Sequence, residues 1–282
     1  MRQFIYRSDV FLMLEAAAQW LSDLPTTLAV IVSALVGSGL SALGLLVIHP
    51  LLPHGVRSIH NDVSGFIFAG FGVTYAVLLA FVAVAVWQNF AQIESQVQTE
   101  ANLVGNLYRD TVAFPDPPAS RLRHYLFVYA EIVVQDEWPA LAAGRADEAP
   151  GWQLMDKFHT ELLQFRSNDE SVGIMRADAI KTLNQLYDAR RGRFHAATSE
   201  LPPILWWNLI AGAVMLMMFT YLFGAPRLWM HLAMVSLLGA LIGLVMALVV
   251  LLNNPFRGPN HVSIAPFHRL VKSVEAMAYP HA

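Results

Sequence analysis

This 282-residue chain holds ten histidines, 21 acids and no cysteine, which limits the chemistry open to it. Without cysteine there is no disulfide framework, thiolate metal site or cysteine nucleophile. The densest group of possible metal ligands is His49, His54, His60, Asn61 and Asp62. Histidine is a common ligand, but these spacings match no metal motif. Asn61 or Asp62 is expected instead to cap the helix that follows, with the histidines solvated beside it. Asp136 and Glu137 are adjacent acids of the kind that general acid–base catalysis uses. They stand just before Pro139, and the plainer expectation is a helix terminus stopped by that proline. Gly70-x-Gly72 lies inside an uncharged apolar run and is no nucleotide loop. The sequence has no P-loop, dinucleotide fingerprint, His-Glu-x-x-His or nucleophile elbow. Neither enzyme chemistry nor a resident cofactor or metal is expected.

The more telling pattern is Ser64–Tyr75, where three glycines and three phenylalanines fall together. Val63, Ile67, Phe71 and Thr74 repeat at i, i+4, i+8 and i+11, so a helix would place them on one face. One reading is a pore helix whose bulky residues make an apolar constriction that gates by dewetting. The other is a packing helix, in which glycines let backbones approach and phenylalanines fill the space beside them. Gly239, Gly243 and Ala247, four apart, form a small-residue packing stripe in a later segment.

The elements that hold these residues follow from composition. Apolar residues make up 56% of the chain and charged residues 14%, about half the usual quarter. That excludes a disordered chain, a coiled coil and an ordinary cytosolic enzyme. The net charge of −3 gives no footprint for nucleic acid. Four uncharged blocks, Leu28–Ile48, Val63–Trp87, Ile204–Phe223 and Leu232–Leu252, are each long enough to span a bilayer. Val10–Leu21 is shorter and reads as an interfacial helix, broken from the first span by Pro25. The expected division is an N-terminal interfacial segment (1–25), spans one and two (26–87), a soluble helical domain (88–200), spans three and four (201–252) and a C-terminal tail (253–282). The soluble domain shows helical stripes: Phe90, Ile93, Val97, Val104, Leu107, Tyr108; Leu122, Tyr125, Leu126, Tyr129, Val133; Trp152, Met155, His159, Leu162, Phe165; and Ile174, Ala179, Leu183, Leu186, Tyr187, Phe194. No stop signal separates Trp87 from Phe90, so the second span is expected to run on into the first soluble helix. Breaks are expected at Pro115–Pro118 and Gly144–Gly151.

Four spans put the termini and the soluble domain on one side, together with 16 of the 18 Lys and Arg. Arg2, Arg7, Arg190, Arg191, Arg193 and Arg257 all favour the cytoplasm for that side. The spans contain no Asp, Glu, Lys, Arg or His, which disfavours a proton-coupled carrier.

Several segments resemble one family. In order they are His60-Asn61-Asp62-Val63-x-Gly65-Phe66-Ile67-Phe68, Val86-Trp87, Glu137-Trp138-Pro139, Pro202-Pro203-Ile204-Leu205-Trp206-Trp207, Phe219-Thr220-Tyr221-Leu222-Phe223-Gly224 and Asn254-Pro255-Phe256-Arg257-Gly258. Together they are similar to the bacterial bestrophin-like family, from about residue 25 to about 260. Gly70-Phe71-Gly72-Val73-Thr74 is also similar to the pore helix of bestrophins themselves, and Asn254-Pro255-Phe256-x-Gly258 to the segment after their last span. Bestrophins are pentameric anion channels with four spans per subunit, a cytosolic helical domain and a hydrophobic neck lined by the second span. The resemblance therefore implies an all-α, bestrophin-like, multi-pass protein of the bacterial inner membrane with cytoplasmic termini. It implies a homo-oligomer, expected to be a pentamer, in contact with membrane lipids and permeating inorganic ions, with anion conduction favoured and no nucleic-acid partner. Its neck would be lined by Val63, Ile67, Phe71 and Thr74, with Asn61 and Asp62 capping the helix at the pore entrance. Calcium-gated bestrophins follow the Asn-Pro-Phe segment with acids, whereas here Arg257-Gly258-Pro259-Asn260-His261 follows and Asn253 stands where an acid is expected. No calcium clasp is therefore implied. The alternative is a non-conducting membrane scaffold or signalling protein acting through its cytosolic helices.

Overall fold

The computed structural model describes residues 9–51, 61–145, 148–198 and 201–278, and their side chains except those of 9–15, 61–63, 198 and 278. Every element among the described residues is helical: α1 (Asp9–Asp23), α2 (Thr26–Ile48), α3 (Asn61–Asp110), α4 (Pro118–Ile132), α5 (Trp138–Ala142), α6 (Ala149–Gln164), α7 (Glu170–Thr198), α8 (Pro203–Tyr221), α9 (Leu228–Leu252) and α10 (Ala265–Ala278). The breakers act through known chemistry. Pro118 and Pro203 open α4 and α8, where a missing N–H costs nothing. Gly144, past the end of α5, takes a φ of +70°, which glycine enters at little cost.

Four helices are long and apolar enough to cross a membrane: α2, the first part of α3, α8 and α9. This is an all-α membrane protein with four such spans. The second does run on without interruption, giving α3 a length of 50 residues. The fourth starts before the expected Leu232 and so takes in His231, which is buried and donates from Nε2 to the Thr220 carbonyl at 3.1 Å.

One expectation fails at Pro139, which does not stop a helix. A π turn, Val133–Glu137, joins α4 to α5, and the Trp138 N–H closes it onto the Val133 carbonyl. Pro139 then falls in the first turn of α5, where no helical partner for its nitrogen is needed.

The chain forms two compact units. Residues 1–88, 200–254 and 258–260 make the first, which holds the apolar spans. Within it, α2 and α9 cross closely. A Cβ added at Gly37, Gly239 or Gly243 would fall inside contact distance of the facing backbone. A second layer packs Tyr75, Leu79, Val82 and Val86 of α3 on Leu209, Leu216 and Val249. Tyr75 donates to the Leu209 carbonyl at 3.0 Å, and its ring lies over Gly212, where a Cβ would come within 2.5 Å.

Residues 89–199, 255–257 and 261–282 make the second unit. Its core joins Ile93, Val97, Val104 and Leu107 of α3 to Leu122, Leu126 and Tyr129 of α4, Met155, Phe158 and Leu162 of α6, and Leu183 and Leu186 of α7. Two stripe assignments change. Phe158 takes the core position on α6 and His159 is only half-buried, while Ile174 is exposed near the start of α7.

Candidate functional site: the unpartnered side of the long helix

The buried positions of α3 form a seam at three- and four-residue steps within each unit, through Tyr75, Leu79, Val82 and Val86 in the first and Ile93, Val97, Glu100, Val104 and Leu107 in the second. The expected neck residues lie off that seam. Ile67 is 53% exposed and Thr74 is exposed, its hydroxyl donating back to the Gly70 carbonyl at 2.9 Å. Phe71 is 37% exposed because its ring stacks on Phe219 of α8, centroids 6.2 Å apart and planes 18° from parallel. The side chain of Val63 and those of the capping candidates Asn61 and Asp62 lie outside the described residues, although α3 does begin at Asn61. His54 and His60 also lie outside them.

Phe219 is a residue that sequence reasoning left without a role. It also meets Phe68 and Phe223, at 6.0 and 6.1 Å, and forms with Phe71 an aromatic cluster between α3 and α8. Opposite the buried seam runs a line the periodicity did not single out, with Phe66 86% and Val73 64% exposed, followed by Val77, Phe81 and Val84. Exposed apolar residues in this number need a partner, either lipid or another chain.

The glycines of Ser64–Tyr75 differ from those of α9. Nothing lies within 4 Å of a Cβ placed at Gly65, Gly70 or Gly72. They do not serve close packing inside the subunit, unlike Gly239 and Gly243, whose packing role is direct. Past Trp87 the exposed positions of α3 become polar, through Gln88, Glu94, Ser95, Thr99, Asn102 and Arg109.

Asn253 and Asn254 bond to the backbone of their own chain. Asn253 Oδ1 accepts from the Leu201 N–H at 3.1 Å, and Asn254 Nδ2 donates to the Val250 carbonyl at 3.0 Å. Gly258 has a φ of +75° and sits against the Ser22 carbonyl, so only glycine fits there. In the second unit Phe256 packs edge-on against Trp138 at 5.3 Å. Among the described residues no three His, Asp or Glu side chains converge as a metal site would require.

The acids at 136 and 137 part company. Glu137 is buried and binds Arg190 bidentately, Oε1 to Nη2 at 2.7 Å and Oε2 to Nη1 at 2.9 Å, while Oε2 also accepts from Arg193 at 2.6 Å. Arg193 in turn holds Glu100, which accepts from the Tyr129 hydroxyl. Burial pushes the Tyr129 hydroxyl well above the ordinary tyrosine range, and the Glu100 charge pushes it further. This is a buried, charge-balanced core network of two arginines and two glutamates. Sequence reasoning missed it.

A family model for the Bestrophin-like domain matches residues 35–267. No curated protein matches the chain. Among solved structures, a bacterial bestrophin homolog from Klebsiella pneumoniae is similar at a TM-score of 0.62 and 15% identity, over 89% of this chain and 97% of that one. A bacterial bestrophin homolog from the same organism with a single tyrosine-to-alanine mutation is similar at 0.63 and 14%, over 88% and 97%. A further structure, described only as a membrane protein, is similar at 0.65 and 15%, over 90% and 99%. At these identities the likeness is one of fold.

Proposed function

From the premise that this chain belongs to the bestrophin-like family, we propose that it is a subunit of an oligomeric ion channel whose neck is lined by Val63, Ile67, Phe71 and Thr74. The observation that carries the reading is the second span, which leaves Ile67 and Thr74 exposed and open space beside each of its three glycines. A ring of such helices gives those residues a common space. Family resemblance supports a homopentamer in a bacterial inner membrane, with the soluble unit and both termini in the cytoplasm. It also supports anions as the conducted ions. Ile67 and Phe71, repeated around an axis, make an apolar collar that stays dry until it widens. Asn61 and Asp62 cap the helix at the entrance of the neck.

Reconstitution of the purified protein in planar bilayers, with reversal potentials under ionic gradients, tests conduction and selectivity together. Ile67→Ala and Phe71→Ala should raise conductance or leak. The Phe71 change also removes the stack on Phe219, so Ile67→Ala is the cleaner variant. If both variants assemble normally and their flux equals that of the parent, the collar is not formed by these residues. A parent without conductance in any gradient would favour the scaffold reading.

A further inference from the structure

The geometry points to a binding site for a small phosphate-type oxyanion in the second unit, between Arg109 of α3 and Arg269 of α10. Gly105 of α3 faces Leu270 of α10, whose Cδ1 would lie 3.3 Å from a Cβ placed there. Their approach leaves a cleft of about 270 Å³ lined by Gln98, Asn102, Gly105, Arg109, Arg269 and Ser273, among others. Apart from its apolar floor, every lining side chain is a guanidinium, an amide or a hydroxyl, and no carboxylate lines it.

Both cations are exposed, and each is tethered by hydrogen bonds. Arg109 donates from Nε to the Gly105 carbonyl at 3.3 Å and from Nη2 to Asn106 Oδ1 at 3.0 Å. Arg269 donates from Nη2 to Gln98 Oε1 at 3.2 Å, and Gln98 donates on to Asn102 Oδ1 at 2.9 Å. These partners are all neutral, and among the described residues neither arginine is in an ion pair. The neighbouring carboxylate, Asp110, feels the Arg109 charge but makes no ion pair with it, and burial and Asp178 act on it in the opposite sense. Two guanidiniums from different helices, neither in an ion pair among the described residues, match the forked geometry that phosphate oxygens accept. Holding them in advance lowers the entropy cost of binding. The volume lies just below the usual range for ligand sites, which suits phosphate or pyrophosphate more than a large metabolite. The site does not depend on the channel reading. An anion bound there would fasten the C-terminal helix to the long helix.

Titration calorimetry on the full-length protein in detergent, at constant ionic strength, tests the site with inorganic pyrophosphate. Saturable binding of one anion per chain is expected. Either Arg109→Gln or Arg269→Gln should weaken it about tenfold or more, the scale of one charge-assisted hydrogen bond. Arg191→Gln, which removes an exposed arginine elsewhere, should leave it unchanged. Both cleft arginines are exposed, so their variants should fold. Phosphatidic acid in the same micelles is the second probe. Competition by the lipid would identify a headgroup as a source of the phosphate, and its absence would identify a free anion. Non-saturating heats, or equal affinity in parent and both cleft variants, would overturn the proposal.

Discussion

At the scale of single residues, the buried ion network sets the terms in the second unit. Arg190, Arg193, Glu100 and Glu137 are all buried, two cations against two anions. Bringing such charges out of water costs more than a pair recovers unless every partner is present. Glu137→Gln keeps the shape and removes one charge, leaving Arg190 and Arg193 with a single carboxylate between them. The expected loss is about 3–5 kcal/mol, as for other broken buried pairs, read as a lowered denaturation midpoint of the detergent-purified protein. A loss within experimental scatter would mean the charges are solvated. Asp110 carries a pH-dependent prediction. Burial first, and then the Asp178 charge, raise its pKa, partly offset by Arg109. A carboxyl whose folded pKa lies above its unfolded value favours the folded state in its protonated form. Its contribution is present at acid pH and is lost as pH rises through the raised pKa. Asp110→Asn should therefore raise the melting temperature slightly at neutral pH, and the gain should vanish as pH falls into the carboxylate range. A gain that persists in acid would assign the effect to something other than charge. The network was legible in principle. Glu100 occupies a seam position in α3 between Val97 and Val104, and Arg190 and Arg193 continue the Ala179–Leu183–Leu186 stripe of α7. Charged residues at core positions on two helices announce each other, but spacing alone cannot say which acid meets which base.

Among the elements, helix-forming segments were legible almost to the residue, because a bilayer-length apolar run admits few alternatives. Leu28–Ile48 became Thr26–Ile48, and the continuation of the second span followed from the missing stop signal. What escaped was Pro139, since a proline that opens a new helical turn and one that ends a helix share the same local sequence signal. The same is true of the glycines. Sequence treats Gly65, Gly70, Gly72, Gly239 and Gly243 alike, and only the presence or absence of a facing helix separates them. That separation can be tested on one helix pair. Gly239→Ala would set a methyl group against the Gly37 carbonyl and Ser41 of α2. Overpacking of this kind costs about 1–3 kcal/mol, and the melting temperature should fall accordingly. Gly39→Ala, on the same pair but with nothing within 4 Å of its Cβ, should be neutral or slightly stabilising, since alanine is the better helix former. Equal losses at the two sites would show that α2 and α9 are not in intimate contact.

For the whole molecule, the side of the membrane on which the second unit lies rests on its arginines, and the structure alters how they should be weighed. The positive-inside rule concerns basic residues near span ends that would have to cross the bilayer as cations. Arg190 and Arg193 approach the start of α8 but are buried against Glu100 and Glu137. Their charge is cancelled locally, so their weight in the orientation is small. Arg191 remains, 62% exposed by its side chain and paired with Asp188 only at the surface, and a surface pair of this kind holds little energy. Arg2, Arg7 and Arg257 favour the same side, against only Arg57 and Arg227 on the other. The balance still favours the proposed cytoplasmic placement of the second unit, on fewer residues than a count of arginines suggests. Because the chain lacks cysteine, single introduced cysteines read this directly. Asn168, exposed before α7, and Leu51, exposed after α2, fall on opposite sides of the proposed topology. In intact spheroplasts an impermeant maleimide should label Leu51→Cys and spare Asn168→Cys, which should react only after permeabilisation. Labelling of Asn168→Cys with Leu51→Cys protected would invert the protein in the membrane. The neck would keep its lining, but Asn61 and Asp62 would then open toward the cytoplasm.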